Sequence, residues 1–92
     1  MLALITTTQF KKDLKRIRKR GLDLNSLKFI LDTLQKQEAL PLKYRDHALV
    51  GDYRGFRECH IEPDWLLVYE IQNDVLVLIL YRLGTHSELF KK

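Results

Sequence analysis

The chain has 92 residues, with 16 Lys and Arg against 12 Asp and Glu for a net charge of +4. That length suits a single domain over residues 1–92, which would bury roughly 60 to 65% of the surface its unfolded chain exposes. With 46% hydrophobic and 30% charged residues, two prolines and four glycines, disorder and low complexity are excluded, and the cationic excess favours a polyanionic or acidic partner.

The longest apolar runs, Leu66 to Tyr69 and Val75 to Tyr81, are far shorter than the ~18 to 20 residues of a membrane span. The N-terminus lacks a charged-then-apolar leader, and Cys59 is the only cysteine, so a cytoplasmic protein with no internal disulfide and no membrane partner is expected.

Leu2 to Thr7, rich in β-branched residues, suits an opening strand. A helix follows: Phe10, Leu14 and Ile17 recur at i, i+4, i+7, and Gly21 supplies a left-handed stop. Seven of the ten residues from Lys11 to Arg20 are cationic, so one face is core and the other basic. A second helix begins with Asp23 as N-cap, has Leu22 and Leu27 placed as a hydrophobic staple, buries Leu27, Ile30, Leu31 and Leu34, and ends before Pro41. The short link between the helices implies an antiparallel hairpin that needs a sheet to cover it.

Leu40 to Gly55 reads as an irregular functional loop with Asp46 and His47 at its middle. Three β-rich runs follow, Phe56 to Ile61, Trp65 to Ile71 and Val75 to Leu83, separated by turns at Glu62-Pro63-Asp64 and Gln72-Asn73-Asp74. The expected fold is α+β, in the order strand, helix, helix, then a three-strand antiparallel meander.

A meander gathers distant residues, because each strand starts beside the end of the one before it and the third returns to the first edge. His60, Asp64, Trp65, Arg82 and His86 should therefore converge at one end of the sheet, with His47 joining them if the loop folds over. Any one histidine taken alone would ordinarily be structural; their convergence with a carboxylate favours a site. Such a set suits RNA cleavage by the ribose 2′-hydroxyl, which needs a base, an acid and a cation facing the phosphoryl oxygens. Histidine serves either proton role near neutral pH, and arginine is a bidentate phosphate ligand that does not titrate.

Metal chemistry is the competing reading, since His47, Cys59, His60, Asp64 and His86 are all possible ligands. Adjacent Cys59 and His60 point to opposite faces of a strand, and no paired-ligand spacing occurs, so no metal and no cofactor is expected and Cys59 reads as a small core hydrophobe. Trp65 alternates with neighbours of which one set must be core, and it is either part of that set or a base-stacking platform. Phe90 is either an anchor for the tail or such a platform. The basic helix face, with Lys12, Lys15, Arg16 and Lys19, is either solvated surface or a surface for phosphates or an acidic partner segment.

Three blocks carry a specific resemblance: Asp46-His47-Ala48-Leu49-Val50-Gly51, then Phe56 to Trp65 with Leu67 and Tyr69 beyond, and Arg82-Leu83-Gly84-Thr85-His86-Ser87-Glu88-Leu89-Phe90. In order and spacing, residues 44–90 resemble the YafQ branch of the RelE/ParE toxin superfamily. The resemblance implies a RelE-like fold, ribosome-dependent cleavage of mRNA, a cognate antitoxin as partner, and no contact with DNA except through an antitoxin complex. It places the family's catalytic residues on His47, His60, Asp64 and His86, its phosphate-facing arginine on Arg82 and its C-terminal aromatic on Phe90. The alternatives are a gyrase-poisoning toxin of the ParE branch and a non-enzymatic ribosome-binding or RNA-binding module. A ParE-like toxin does not need the His-Asp-His set, and a binding module needs only the basic helix.

Overall fold

A computed structural model of the chain describes residues 1–90. Its elements are β1 (Ala3–Thr6), α1 (Thr8–Arg18), α2 (Leu24–Gln35), β2 (His47–Ala48), β3 (Arg57–Glu62), β4 (Trp65–Gln72), β5 (Val77–Gly84) and α3 (His86–Leu89), with single 3-10 turns at Leu42–Tyr44 and Gly51–Tyr53. The Thr7 hydroxyl caps α1 by accepting from the Phe10 N–H at 2.9 Å. Asp23 caps α2 by accepting from the Asn25 and Ser26 N–H groups. Leu22 and Leu27 are both buried, as a staple requires, and Gly21 stands at φ 94° past the end of α1.

The five strands run in the order β1-β5-β4-β3-β2. β3, β4 and β5 form the expected antiparallel meander. The sheet as a whole is mixed, because β1 pairs parallel with β5, from Ala3 beside Val77 to Thr6 beside Leu80. A parallel pair needs a long crossover, and here the helical hairpin lies within it. Two further departures have local causes. Within the expected loop, His47 and Ala48 add a fifth strand opposite Glu58 and Arg57. Past β5, Thr85 and Glu88 form a capping box that winds residues 86–89 into α3.

Both faces of β4 are buried. Leu67 and Tyr69 join Phe10, Ile17, Ile30, Leu34 and Leu80 beneath the helices, while Leu66 and Val68 pack on the opposite face with Leu89, Leu49, Phe56, Tyr81 and Phe90. Two bulges re-aim side chains: Ile61 is the extra residue between the His60–Leu66 and Glu62–Trp65 pairs, and Tyr81 the extra residue between Arg82–Val68 and Leu80–Tyr69.

One carboxylate lies inside the helix layer. Asp13 of α1 is fully buried and accepts from Arg82 Nε at 2.8 Å, the Leu83 N–H at 3.0 Å, the Gln9 amide at 3.0 Å and Arg16 Nη1 at 3.1 Å. Burial alone would raise its pKa, but the hydrogen bonds, that from Arg82 foremost, outweigh burial and hold the carboxyl below its ordinary value.

Candidate active site

The end of the meander forms a cleft of about 460 Å³ whose lining includes Arg20, Glu58, His60, Asp64, Trp65 and His86. His60 comes from β3, Asp64 from the β3–β4 turn, and His86 from the first turn of α3. The expected convergence of His60, Asp64, Trp65 and His86 is thus present. Arg82 is not part of the lining, because its guanidinium turns back to Asp13 on α1.

Glu58 organises the near wall. It is 5% exposed, and the β2–β3 pairing sets it directly opposite His47, while the pleat sets it on the same face as His60 two residues on. His47 Nε2 lies 3.5 Å and His60 Nε2 3.8 Å from the same oxygen, Oε1. The other ring nitrogens meet backbone carbonyls: His47 Nδ1 is 2.6 Å from the Arg45 oxygen and His60 Nδ1 3.3 Å from the Pro63 oxygen. Each ring thus stands between two acceptors, a backbone carbonyl at Nδ1 and the Glu58 carboxylate at Nε2. His47 therefore joins the site through Glu58.

The far wall is held by the end of α1. Glu88 of the capping box also lies 3.3 Å from Arg20 Nη1 and 3.6 Å from Arg16 Nε, tying α3 and hence His86 to the first helix. The backbone N–H of Thr85 is the main cause that holds the Glu88 carboxyl below its ordinary pKa. The His86 ring lies 5.1 Å from that of Phe90, which meets Tyr53 edge-on at 4.9 Å. Phe90 is thus fixed in the second core cluster and flanks a site residue at once. Trp65 packs on the main core, and the Arg20 guanidinium lies over its ring at 5.0 Å.

Lys12, Lys15 and Lys19 are exposed along α1 and line a shallow groove with Arg16 and Arg20. Arg16 differs from them, since Asp13 and Glu88 already engage its guanidinium. Arg20 borders both groove and cleft, so the cationic face of α1 runs up to the site.

Glu58 and Arg20 were not singled out by sequence reasoning. The signal for Glu58 was available: it precedes His60 by two on a strand, and i, i+2 residues share a face. Cys59 is buried on the opposite face, where burial pushes its thiol pKa up, as suits a core hydrophobe. Among the described residues, no three His, Cys, Asp or Glu side chains gather closely enough to hold a metal ion. No described helix is long and apolar enough to cross a membrane.

A family model described as bacterial toxin of type II toxin-antitoxin system, YafQ, matches residues 2–91. The mRNA interferase toxin YafQ of Escherichia coli (strain K12) is 43% identical over 84 residues, covering 89% of this chain and 88% of that protein. A metal-bound toxin from Helicobacter pylori superposes with a TM-score of 0.92 at 48% identity, covering 98% of this chain and 100% of that one. A chain of the E. coli DinJ–YafQ complex gives a TM-score of 0.87 at 37% identity, covering 98% of this chain and 99% of that one.

Proposed function

Because the chain belongs to the YafQ family of bacterial type II toxins, we propose that it is an mRNA interferase, a cytoplasmic endoribonuclease that cuts mRNA on the ribosome and is silenced by a cognate antitoxin. The single observation that carries this reading is the gathering of His60, Asp64 and His86 around one cleft with Glu58 behind them. The E. coli relative's name, mRNA interferase toxin, and the complex of its family with DinJ support substrate and partner.

In this mechanism the ribose 2′-oxygen attacks the adjacent phosphorus, the bond from phosphorus to the 5′-oxygen breaks, and a cyclic phosphate and a 5′-hydroxyl result. His60 takes the 2′-hydroxyl proton, and Glu58 stabilises the imidazolium that forms. His86 on the opposite wall protonates the departing 5′-oxygen, Asp64 orients the ribose, and His47 steadies Glu58. Arg20 faces the phosphoryl oxygens; Arg82, already paired with Asp13, has a lesser share of that charge. Trp65, with Arg20 over its ring, and Phe90 beside His86 border the bases, and Lys12, Lys15 and Lys19 meet ribosomal RNA phosphates.

DNA lacks the nucleophile, so it is not cut, and these residues provide acid, base and charge without a metal or cofactor. The test is primer-extension mapping of transcripts after brief expression, in parallel with a His86→Ala variant. Discrete in-frame cuts that vanish in the variant are expected. Growth inhibition that persists in the variant without cuts would favour a gyrase-poisoning or RNA-binding toxin instead.

A further inference from the structure

His60 is a partition with space on both sides. One side is the cleft shared with Asp64 and His86; the other is a second cleft of about 400 Å³ whose lining includes Ser26, Lys43, Tyr44, Arg45, His60 and Glu62. His60 and Pro63 belong to both linings, so the two spaces meet at the imidazole that the proposed reaction uses. The second cleft has its own cations. Lys43 and Arg45 are exposed, and Lys43 Nζ stands 5.1 Å over the Tyr44 ring. Its acidic member, Glu62, is engaged by the Asp23 N–H at 3.0 Å.

Arg45 is an unexpected residue where it stands. Its φ is 49°, in the left-handed region where Gly or Asn is the usual occupant, and its exposed side chain makes no hydrogen bond or ion pair among the described residues. Its backbone carbonyl, by contrast, orients His47. The fold therefore uses the position for its main chain, and the exposed guanidinium is free to meet a ligand.

A phosphodiester cut by its own 2′-hydroxyl has a nucleotide on each side, and holding both against the protein keeps the reacting atoms in line. We infer that the cleft lined by Lys43, Tyr44 and Arg45 is a second nucleotide subsite, which takes the nucleotide across the scissile bond from the one in the His86 cleft and binds its phosphate through Lys43 and Arg45. This rests on the RNA cleavage proposed above and adds to it where the second half of the substrate lies. Arg45 is the bidentate phosphate ligand and Lys43 adds a point charge, while Glu62 stays occupied by the Asp23 N–H.

The test uses ribosome complexes programmed with mRNA and a Lys43→Gln, Arg45→Asn double variant. Asn tolerates the left-handed conformation and keeps the carbonyl that orients His47, so the fold should be untouched, which thermal unfolding checks. The half-saturating toxin concentration should rise about tenfold while the single-turnover rate at saturation stays within about threefold of the parent. A neutral methylphosphonate is then placed at each phosphate flanking the cut in turn. At one of them the parent should weaken while the double variant shows no further loss, the non-additivity expected of groups in contact. Lys43→Arg with Arg45→Lys should recover most of the binding. Equal half-saturation in parent and double variant, or strictly additive losses at every flanking phosphate, would overturn the subsite. A parent that cuts no RNA would instead overturn the reaction on which it rests.

Discussion

Arg82 Nε donates to Asp13 Oδ2 across 2.8 Å, joining the last strand to the first helix through a carboxylate with no exposed surface. Asp13→Ala would strip the acceptor from the Leu83 N–H and from Arg82 together, at a cost of about 2 to 3 kcal/mol. Because the folded pKa of Asp13 is depressed, its stabilisation is present above the unfolded carboxylate pKa of ~4 and is lost as pH falls through the folded value. Glu88 is shifted in the same direction. Thermal unfolding followed downward from pH 7 should show an acid loss in the parent that is smaller in Asp13→Asn.

Glu58→Gln keeps the shape of a 5%-exposed side chain and removes the charge that two histidines share. Cleavage should fall by about a hundredfold or more at nearly unchanged melting temperature, as when a carboxylate behind a catalytic imidazole is neutralised. Single-turnover assays over a range of pH read this directly. A variant with parental rate and pH profile would confine Glu58 to packing.

His60→Ala, Asp64→Ala and His86→Ala should each leave the fold intact and relieve growth inhibition, since all three side chains border a cleft and none belongs to either core cluster. His47→Ala should act in the same direction with smaller effect, because His47 reaches the cleft only through Glu58. Three folded variants that stay fully toxic would remove the catalytic assignment.

On α1, replacing Lys12, Lys15 and Lys19 with Gln should weaken ribosome association without slowing the chemical step. Each lost phosphate contact should flatten the salt dependence by about one unit of log-log slope. Arg16 belongs in a separate experiment, because Arg16→Gln also loosens Asp13 and Glu88. If only antitoxin affinity falls while the ribosome slope holds, the helix faces the antitoxin rather than RNA.

Stripping transition metals from the protein, with magnesium retained for the ribosome, should leave cleavage unchanged. The comparison matters because a close structural relative is a metal-bound toxin. Recovery of activity only on adding zinc or copper would transfer the mechanism to metal-activated water.

What could be read in advance followed local chemistry. The cap at Asp23, the staple of Leu22 with Leu27 and the short turns of the meander are written in neighbouring residues, and from them the gathering of His60, Asp64 and His86 followed by topology. Contacts with no local signature were missed. Leu2 to Thr7 reads as a strand, but nothing nearby names β5 as its partner. Arg82 matches a phosphate ligand by type and spacing, and only the packed structure reveals the carboxylate on α1 that engages it. His47 looks like a loop residue because two-residue strands leave no periodicity to detect.

The parallel pairing of β1 with β5 also sets an order of events during synthesis. The first strand leaves the ribosome without a partner and waits for residues Val77 to Leu80, and His86 follows later still. A pairing of such long sequence separation makes the fold slow to close. The nascent chain therefore carries a basic helix and an unpartnered first strand but no assembled cleft, and the site comes into being only after β5 and His86 have emerged.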